Sequence, residues 1–313
     1  MTAGPTVVGQ AEAALPRSFD ARYGTGVRRG LCLGGGGLFF VAWLVAYLNE
    51  LAGRGLEVQG ADRVVGTSAG SVVASALAAG HLRRIHAEIS VLANVPALLA
   101  ALAPAADLHP SQVRAVEMFA QAADSDVTTL RAIGHAALAA QTPGPEVMRR
   151  NISLLVGRGR WPSPALHISC VDAYTGERCV VAGEAGVPVA RAVAASSAVP
   201  GVFAPQPIGD RRCMDGGVSG TGMHLDLLAG AERALVLALS DGTDLTEGMM
   251  TNTPGGAHRE LEALAATGTA VIWRIPEEVD RHELMAPAAV PRALEMGARQ
   301  AAIDFDELSE FWR

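Results

Sequence analysis

Val64-Val65-Gly66-Thr67-Ser68-Ala69-Gly70-Ser71-Val72-Val73 is the stretch that decides the fold. Two apolar residues suited to a buried strand run into Gly-x-Ser-x-Gly, and an apolar helical stretch from Val72 to Gly80 follows at once. A strand, a turn too tight for side chains beside the serine, and then a helix make a nucleophile elbow. Gly66 and Gly70 are required because a Cβ at either place collides with neighbouring backbone. The turn lifts the Ser68 hydroxyl above the sheet edge and aims a helix N-terminus at any negative charge that develops there. The pentapeptide alone is weak in a chain with 35 glycines, and its competing reading is a glycine-rich structural turn. The strand before it and the helix after it favour a catalytic Ser68.

Composition narrows the class. At 313 residues the chain is long enough to bury a large core, and one α/β domain over 27–313 fits better than two small ones. Half of the residues are hydrophobic but only 4% are aromatic, so Ala, Val and Leu supply the bulk. That suits a mainly parallel sheet covered by helices, a three-layer α/β/α arrangement. The net charge of −7 argues against a nucleic-acid partner and against strong attraction to anionic lipid. No lysine occurs; all 25 basic residues are arginine, as the codon usage of a GC-rich genome would give. This rules out a Walker-A lysine, a pyridoxal Schiff base and a Ser–Lys dyad. The four cysteines (Cys32, Cys170, Cys179, Cys213) lack metal-ligand spacing and read as buried free thiols of a cytoplasmic protein, with no metal or cofactor implied. No secretory signal is visible, and the most apolar stretch, Val91 to Ala106, is broken by Pro96 and Pro104 before it reaches membrane-spanning length. It reads as a buried or interfacial helical piece.

Along the chain, residues 1–26 read as a loose lead-in. Arg28 to Leu33 reads as a strand ending in Gly34-Gly35-Gly36-Gly37, with a helix from Leu38 to Leu51 and a second strand from Asp62 to Val65. Residues 81–158 read as mostly helical, with start signals at Pro110-Ser111 and Asp126. Leu166 to Val171 and Arg178 to Val181 flank a hairpin turn at Tyr174-Thr175-Gly176. A helix from Val189 to Ser197 is cut by Pro200-Gly201. Strands over Ala234 to Leu239 and Ala270 to Ile275, a charged helix between them and an amphipathic tail from Pro291 complete the pattern.

Two further constellations carry chemistry. The run Gly34 to Gly37 can converge backbone N–H groups on an anion. A dinucleotide cradle would need glycine at position 39 or 40, and both are phenylalanine, so an oxyanion hole is the better use beside a serine elbow. The second is Asp215-Gly216-Gly217, by itself no more than a solvent turn. A serine needs a base, however, and a conventional triad wants an acid followed by His224, His258 or His282. His258 and His282 lie on polar stretches that read as solvated faces.

Taken together, these pieces resemble the patatin-like acyl hydrolases, bacterial relatives of the plant storage lipase. The match comprises Leu33 to Gly37, Gly66 to Ser71, the stretch from Ala195 to Phe203, and Asp215-Gly216-Gly217-Val218, in order and spacing from about residue 28 to 240. Members of that family use a Ser–Asp dyad without histidine. The resemblance therefore implies Ser68 as nucleophile, Asp215 as base, and Gly35, Gly36 and Gly37 as oxyanion donors, with 81–158 as a helical cap. It implies hydrolysis of lipid-like carboxylic esters through an acyl-Ser68 intermediate, with possible contact at a membrane surface. Acyl transfer through the same dyad is the alternative enzyme outcome. Two departures bear on this. Leu38, Phe39 and Phe40 stand where a variable residue, Arg or Lys, and Gly are usual. Their rings could line an acyl pocket or narrow its mouth, and a non-catalytic binding protein with a closed site is the alternative from another class. After Asp215-Gly216-Gly217, Val218 to Met223 replaces a stretch that often carries Asn and Pro, which leaves the geometry of that loop open.

Overall fold

A computed structural model describes residues 14–16, 23–95, 107–157, 159–240 and 255–313. Most of the 1–26 lead-in and most of Val91 to Ala106 lie outside them. Five apolar runs form the parallel heart of one sheet: β2 (Arg29–Leu33), β3 (Arg63–Gly66), β4 (Leu166–Asp172), β8 (Arg233–Leu237) and β9 (Ala270–Arg274). They lie in the order β4-β3-β2-β8-β9, all neighbours parallel. Antiparallel strands close one margin: β5 (Arg178–Val181) pairs β4, and β1 (Leu15–Pro16) pairs β5. A hairpin of β6 (Gln206–Ile208) and β7 (Arg211–Asp215) joins through β7 to β4. That hairpin was not expected from the sequence, where Gly209 and the charged run Asp210 to Arg212 conceal its alternation.

Successive strand residues point to opposite faces, and here each face has its own core. Leu31, Leu33, Val64, Leu235 and Leu237 enter one apolar cluster, whereas Cys32, Val65, Ala234 and Val236 enter another. Burial on both faces explains why these strands read as continuous apolar runs rather than alternating ones. The layers are helix, sheet, helix.

The first face carries α1 (Gly37–Gly53), α2 (Ala69–Ala78) and α9 (Val290–Trp312). α1 is apolar almost throughout because the sheet lies on one side and α9 on the other. Phe40, Trp43 and Tyr47, at helical spacing, stack with centroids 5.5 and 4.7 Å apart. Trp43 Nε1 donates to Gln300 Oε1 (2.8 Å) and the Tyr47 hydroxyl to Asp304 (2.6 Å), tying α1 to α9. The second face is covered by α8 (Gly256–Ala266) and the segment around Leu225–Leu228. Between β3 and β4 the chain forms α2 and then α3 (Leu82–Ala93), α4 (Pro110–Ala120), α5 (Val127–Ala139) and α6 (Pro145–Val156); α7 (Val189–Ser196) follows β5. α4 and α5 begin at the expected signals, with His109 capping Pro110 and Asp126 preceding Val127.

Candidate functional site

Ligand crevices in open α/β sheets lie outside the C-terminal ends of the strands. Here the loops that leave β2 and β3 lie at that end. The loop leaving β2 is Gly34 to Gly36, and the turn leaving β3 is Thr67-Ser68. Pairing register also places β7. Gly66 pairs Ile168 across β3 and β4, and Cys170 pairs Asp215 across β4 and β7. Two residues beyond Gly66, Ser68 is level with Cys170 and therefore with Asp215. Their side chains meet: Ser68 Oγ donates to Asp215 Oδ2 at 2.7 Å.

Ser68 occupies φ 50°, ψ −119°, a conformation L-residues rarely adopt. Several contacts hold it there. Its N–H donates to Ser196 Oγ on α7 (2.9 Å), and its carbonyl accepts from Ser71 Oγ (2.7 Å). Gly70 N donates to the carbonyls of Gly34 (3.0 Å) and Thr67 (2.8 Å), joining the two loops. The glycines permit this approach: a Cβ at Gly70 would lie 2.0 Å from the Leu33 carbonyl oxygen, and one at Gly66 2.7 Å from Ser71 Cα. The glycines of the run after β2 face different neighbours. A Cβ built on Gly35 would face Ser68 Cβ at 3.3 Å, whereas those on Gly36 and Gly37 would face Phe40 and Leu284.

Asp215 ends β7 and is 4% exposed. Its second oxygen, Oδ1, accepts Gly217 N–H at 2.7 Å, and its own N–H donates to the Ala198 carbonyl (3.0 Å). Burial pushes its carboxyl up to about 7, against the smaller opposing pull of the Ser68 and Gly217 hydrogen bonds. An alcohol hydrogen-bonded to a desolvated carboxylate, with glycine backbone alongside, can lose its proton as it attacks a carbonyl carbon. Behind the pair, the Thr67 and Ser169 hydroxyls bond at 2.6 Å, and Gly216 lies against Ser169.

A profile of the family described as patatin-like phospholipase matches residues 31–223, more than half of the chain. The chain belongs to that family. Patatin-like phospholipases are lipid ester hydrolases, and the matched span contains Ser68, Asp215 and the glycine run between β2 and α1. VipD and ExoU are among the solved structures similar to this chain. VipD from Legionella pneumophila is 12% identical, with TM-score 0.43, covering 94% of this chain and 70% of its own. The type III effector protein ExoU is 16% identical, with TM-score 0.35, covering 89% of this chain and 54% of its own. The chain thus spans about half the length of ExoU. No curated protein matches it.

The other candidates of this patatin-like chain lie elsewhere. His258 is exposed and meets Trp273 edge-on at 5.3 Å; His282 is exposed beyond β9. His224 is buried, but Nε2 bonds the Gly216 carbonyl at 2.9 Å and reaches neither Ser68 nor Asp215 by a hydrogen bond. Phe39 and Phe40, read from the sequence as possible pocket-lining rings, belong to the core cluster under α1. All four cysteines are buried and free. Among the described residues no His, Cys, Asp or Glu cluster is arranged to hold a metal ion, and no helix is long and apolar enough to cross a membrane. Sequence reasoning missed Ser169, whose place behind the pair emerges only from tertiary contact.

Proposed function

We propose that this chain is a serine acyl hydrolase that cleaves carboxylic esters of lipids through an acyl-Ser68 intermediate, with Asp215 as its base. The observation that carries the reading is the 2.7 Å bond from Ser68 to a buried carboxylate raised to about 7. Ser68 Oγ attacks the ester carbonyl carbon while Asp215 Oδ2 takes the hydroxyl proton. Negative charge moves to the carbonyl oxygen, for which the N–H groups of Gly35, Gly36 and Gly37 are the proposed donors. Collapse expels the alkoxide, which leaves as the alcohol with the proton from Asp215. Water then attacks the acyl-Ser68 ester while Asp215 accepts its proton, and that proton passes to Ser68 Oγ as the carboxylic acid departs.

An ordinary aspartate would be a poor base at neutral pH. Desolvation brings its proton affinity towards the working range, so the ionised carboxylate is available yet still basic. Burial of Phe39 and Phe40 in the core supports an enzyme rather than a binding protein whose site those rings close. The test is labelling with a fluorophosphonate ester probe followed by peptide mass spectrometry. Wild type gives an adduct on Ser68, and Ser68→Ala gives none and loses ester turnover. Absence of an adduct in a folded wild-type sample, or retained turnover in Ser68→Ala, overturns the reading.

A further inference from the structure

The loop after Asp215 departs from the usual Asn and Pro of the family pattern, and in this chain buried polar contacts hold it. Gly216–Val218 form a single 3-10 turn capped by Asp215, and the chain then runs to His224, the residue before the short helix Leu225–Leu228. His224 has φ 56° and ψ 47°, a left-handed conformation that histidine tolerates better than most residues. It is 4% exposed. The Gly216 carbonyl can only accept, so the 2.9 Å contact requires a proton on Nε2. The other acceptor position of that carbonyl is taken by Ser219 N–H (3.2 Å).

Polar and titratable groups of three further elements hold the residues of this loop on either side of His224. From α8, the Glu260 carboxylate accepts the Thr221 hydroxyl and, at 2.7 Å, the Leu225 N–H. From β5, Arg178 lies 2.6 Å from Asp226, an ion pair without hydrogen-bond alignment. From β2, Cys32 donates to the Met223 carbonyl at 3.2 Å. Burial first, and the Arg178 charge second, pull the ring of His224 down to about 4. The imidazole is therefore neutral at physiological pH, which with the Nε2 proton leaves Nδ1 bare.

We propose that His224 is a positioning residue for Asp215: its Nε2–H holds the Gly216 carbonyl and so fixes the turn that aims the carboxylate at Ser68. The proposal rests on the Ser68–Asp215 reading above. The lever is short. Gly216 adjoins Asp215, and the next residue, Gly217, supplies the N–H on Oδ1. If the Gly216 peptide loses its buried partner, that N–H and the direction of Oδ2 move with it. His224 itself neither gives nor takes a proton in the reaction.

The experiment compares His224→Gln with His224→Leu. Both carry the same left-handed backbone penalty, but only glutamine keeps an N–H near the Nε2 position. Each is measured for kcat and KM on a soluble ester, for the rate of fluorophosphonate inactivation, and for the pH dependence of kcat/KM, with circular dichroism to verify folding. His224→Leu is expected to lose about 10- to 100-fold in kcat and in inactivation rate, the range for slight misplacement of a reacting group, with KM within about twofold. Its acid limb moves to higher pH, because a loosened Gly217 N–H no longer stabilises the Asp215 carboxylate. His224→Gln recovers most of the loss. A folded His224→Leu with wild-type kcat and acid limb overturns the proposal, as does a His224→Gln no better than His224→Leu.

Should both variants unfold, histidine-selective nitrogen-15 NMR of the wild type decides. A neutral Nε2–H tautomer supports the proposal, and an Nδ1–H tautomer overturns it. Asp215→Asn measured in parallel separates the two readings. If that variant is fully active the dyad fails, whereas an inactive Asp215→Asn beside a wild-type-like His224→Leu removes only the role of His224.

Discussion

Ser68 and Asp215 stand 147 positions apart in the chain and 2.7 Å apart in the fold. Their meeting follows from strand register, since β4 pairs β3 and then, further along the same edge, β7, while β5 takes its other edge. Burial pushes the Asp215 carboxyl up to about 7, and in the proposed reaction that carboxyl must be ionised to take the serine proton. Ester turnover, measured as kcat/KM, is therefore expected to rise as pH increases through about 7 and to level off above it. Asp215→Asn keeps the shape of the side chain but removes the acceptor. It is expected to lower kcat about 10²- to 10⁴-fold, the usual worth of a positioned base, and to abolish that acid limb.

The same burial has a consequence for stability. Asp215 has a folded pKa above its unfolded value of 3.8, so the folded state binds the proton more tightly and stability falls as pH rises between the two values. Below about 4 both states are protonated and the effect vanishes; above about 7 it is complete, on the order of a few kcal/mol. Asp215→Asn, which cannot ionise, should raise Tm more at pH 8 than at pH 4. Thermal melts at the two pH values measure the difference, and a gain no larger at pH 8 contradicts the assignment of burial as the cause.

Much of this was legible in the residues, for stateable reasons. Parallel strands buried on both faces leave apolar runs such as Leu31 to Leu33 and Val64-Val65. Gly66 and Gly70 mark a turn that no side chain permits. Phe39 and Phe40 were harder, because a helix buried on two sides has no polar face to show which way a ring points. The β6–β7 hairpin was hidden by the paired charge of Arg211, whose guanidinium contacts Asp172 at the end of β4 (2.8 Å) and Glu177 in the turn before β5 (3.0 Å). His224 stood in the sequence as one of three histidines that follow Asp215. Only the carbonyl of Gly216, eight positions back, gives it a task.

Gly70 tests the elbow without touching the reacting groups. A methyl there meets Leu33 O at 2.0 Å and the Gly34 carbonyl oxygen at 2.6 Å, which are backbone atoms that cannot step aside as a flexible side chain would. Gly70→Ala should therefore lower Tm by several degrees or prevent soluble expression, corresponding to roughly 1–3 kcal/mol or more of overpacking. Thermal unfolding against wild type measures it. A Tm within one degree of wild type would mean that the two loops do not pack this closely.

Ser196 should matter to the strained serine more than to the fold at large. Its Oγ, at the C-terminal end of α7, accepts the Ser68 N–H at 2.9 Å. Ser196→Ala leaves that N–H without its partner, at a cost of about 1–3 kcal/mol, and relaxes the contact that helps hold φ at 50°. Fluorophosphonate inactivation should slow about tenfold while circular dichroism stays unchanged. An unaltered inactivation rate would show that the other contacts suffice.

The two exposed histidines supply the last comparison. A Ser–His–Asp triad needs an imidazole between alcohol and carboxylate, and here the two groups bond directly. His258 spends its ring on the edge of Trp273, and His282 sits in a turn where Asp280 Oδ1 accepts its backbone N–H at 2.9 Å. Neither ring is hydrogen-bonded to Ser68 or Asp215. His258→Ala and His282→Ala should each keep kcat within about twofold of wild type, with a Tm loss for His258→Ala of no more than a few degrees, since a lone aromatic edge contact is worth about 0.5–1.5 kcal/mol. Steady-state ester hydrolysis at pH 8 reads both at once. A drop of a hundredfold or more in either variant would return the proton transfer to histidine and leave Asp215 only an orienting role.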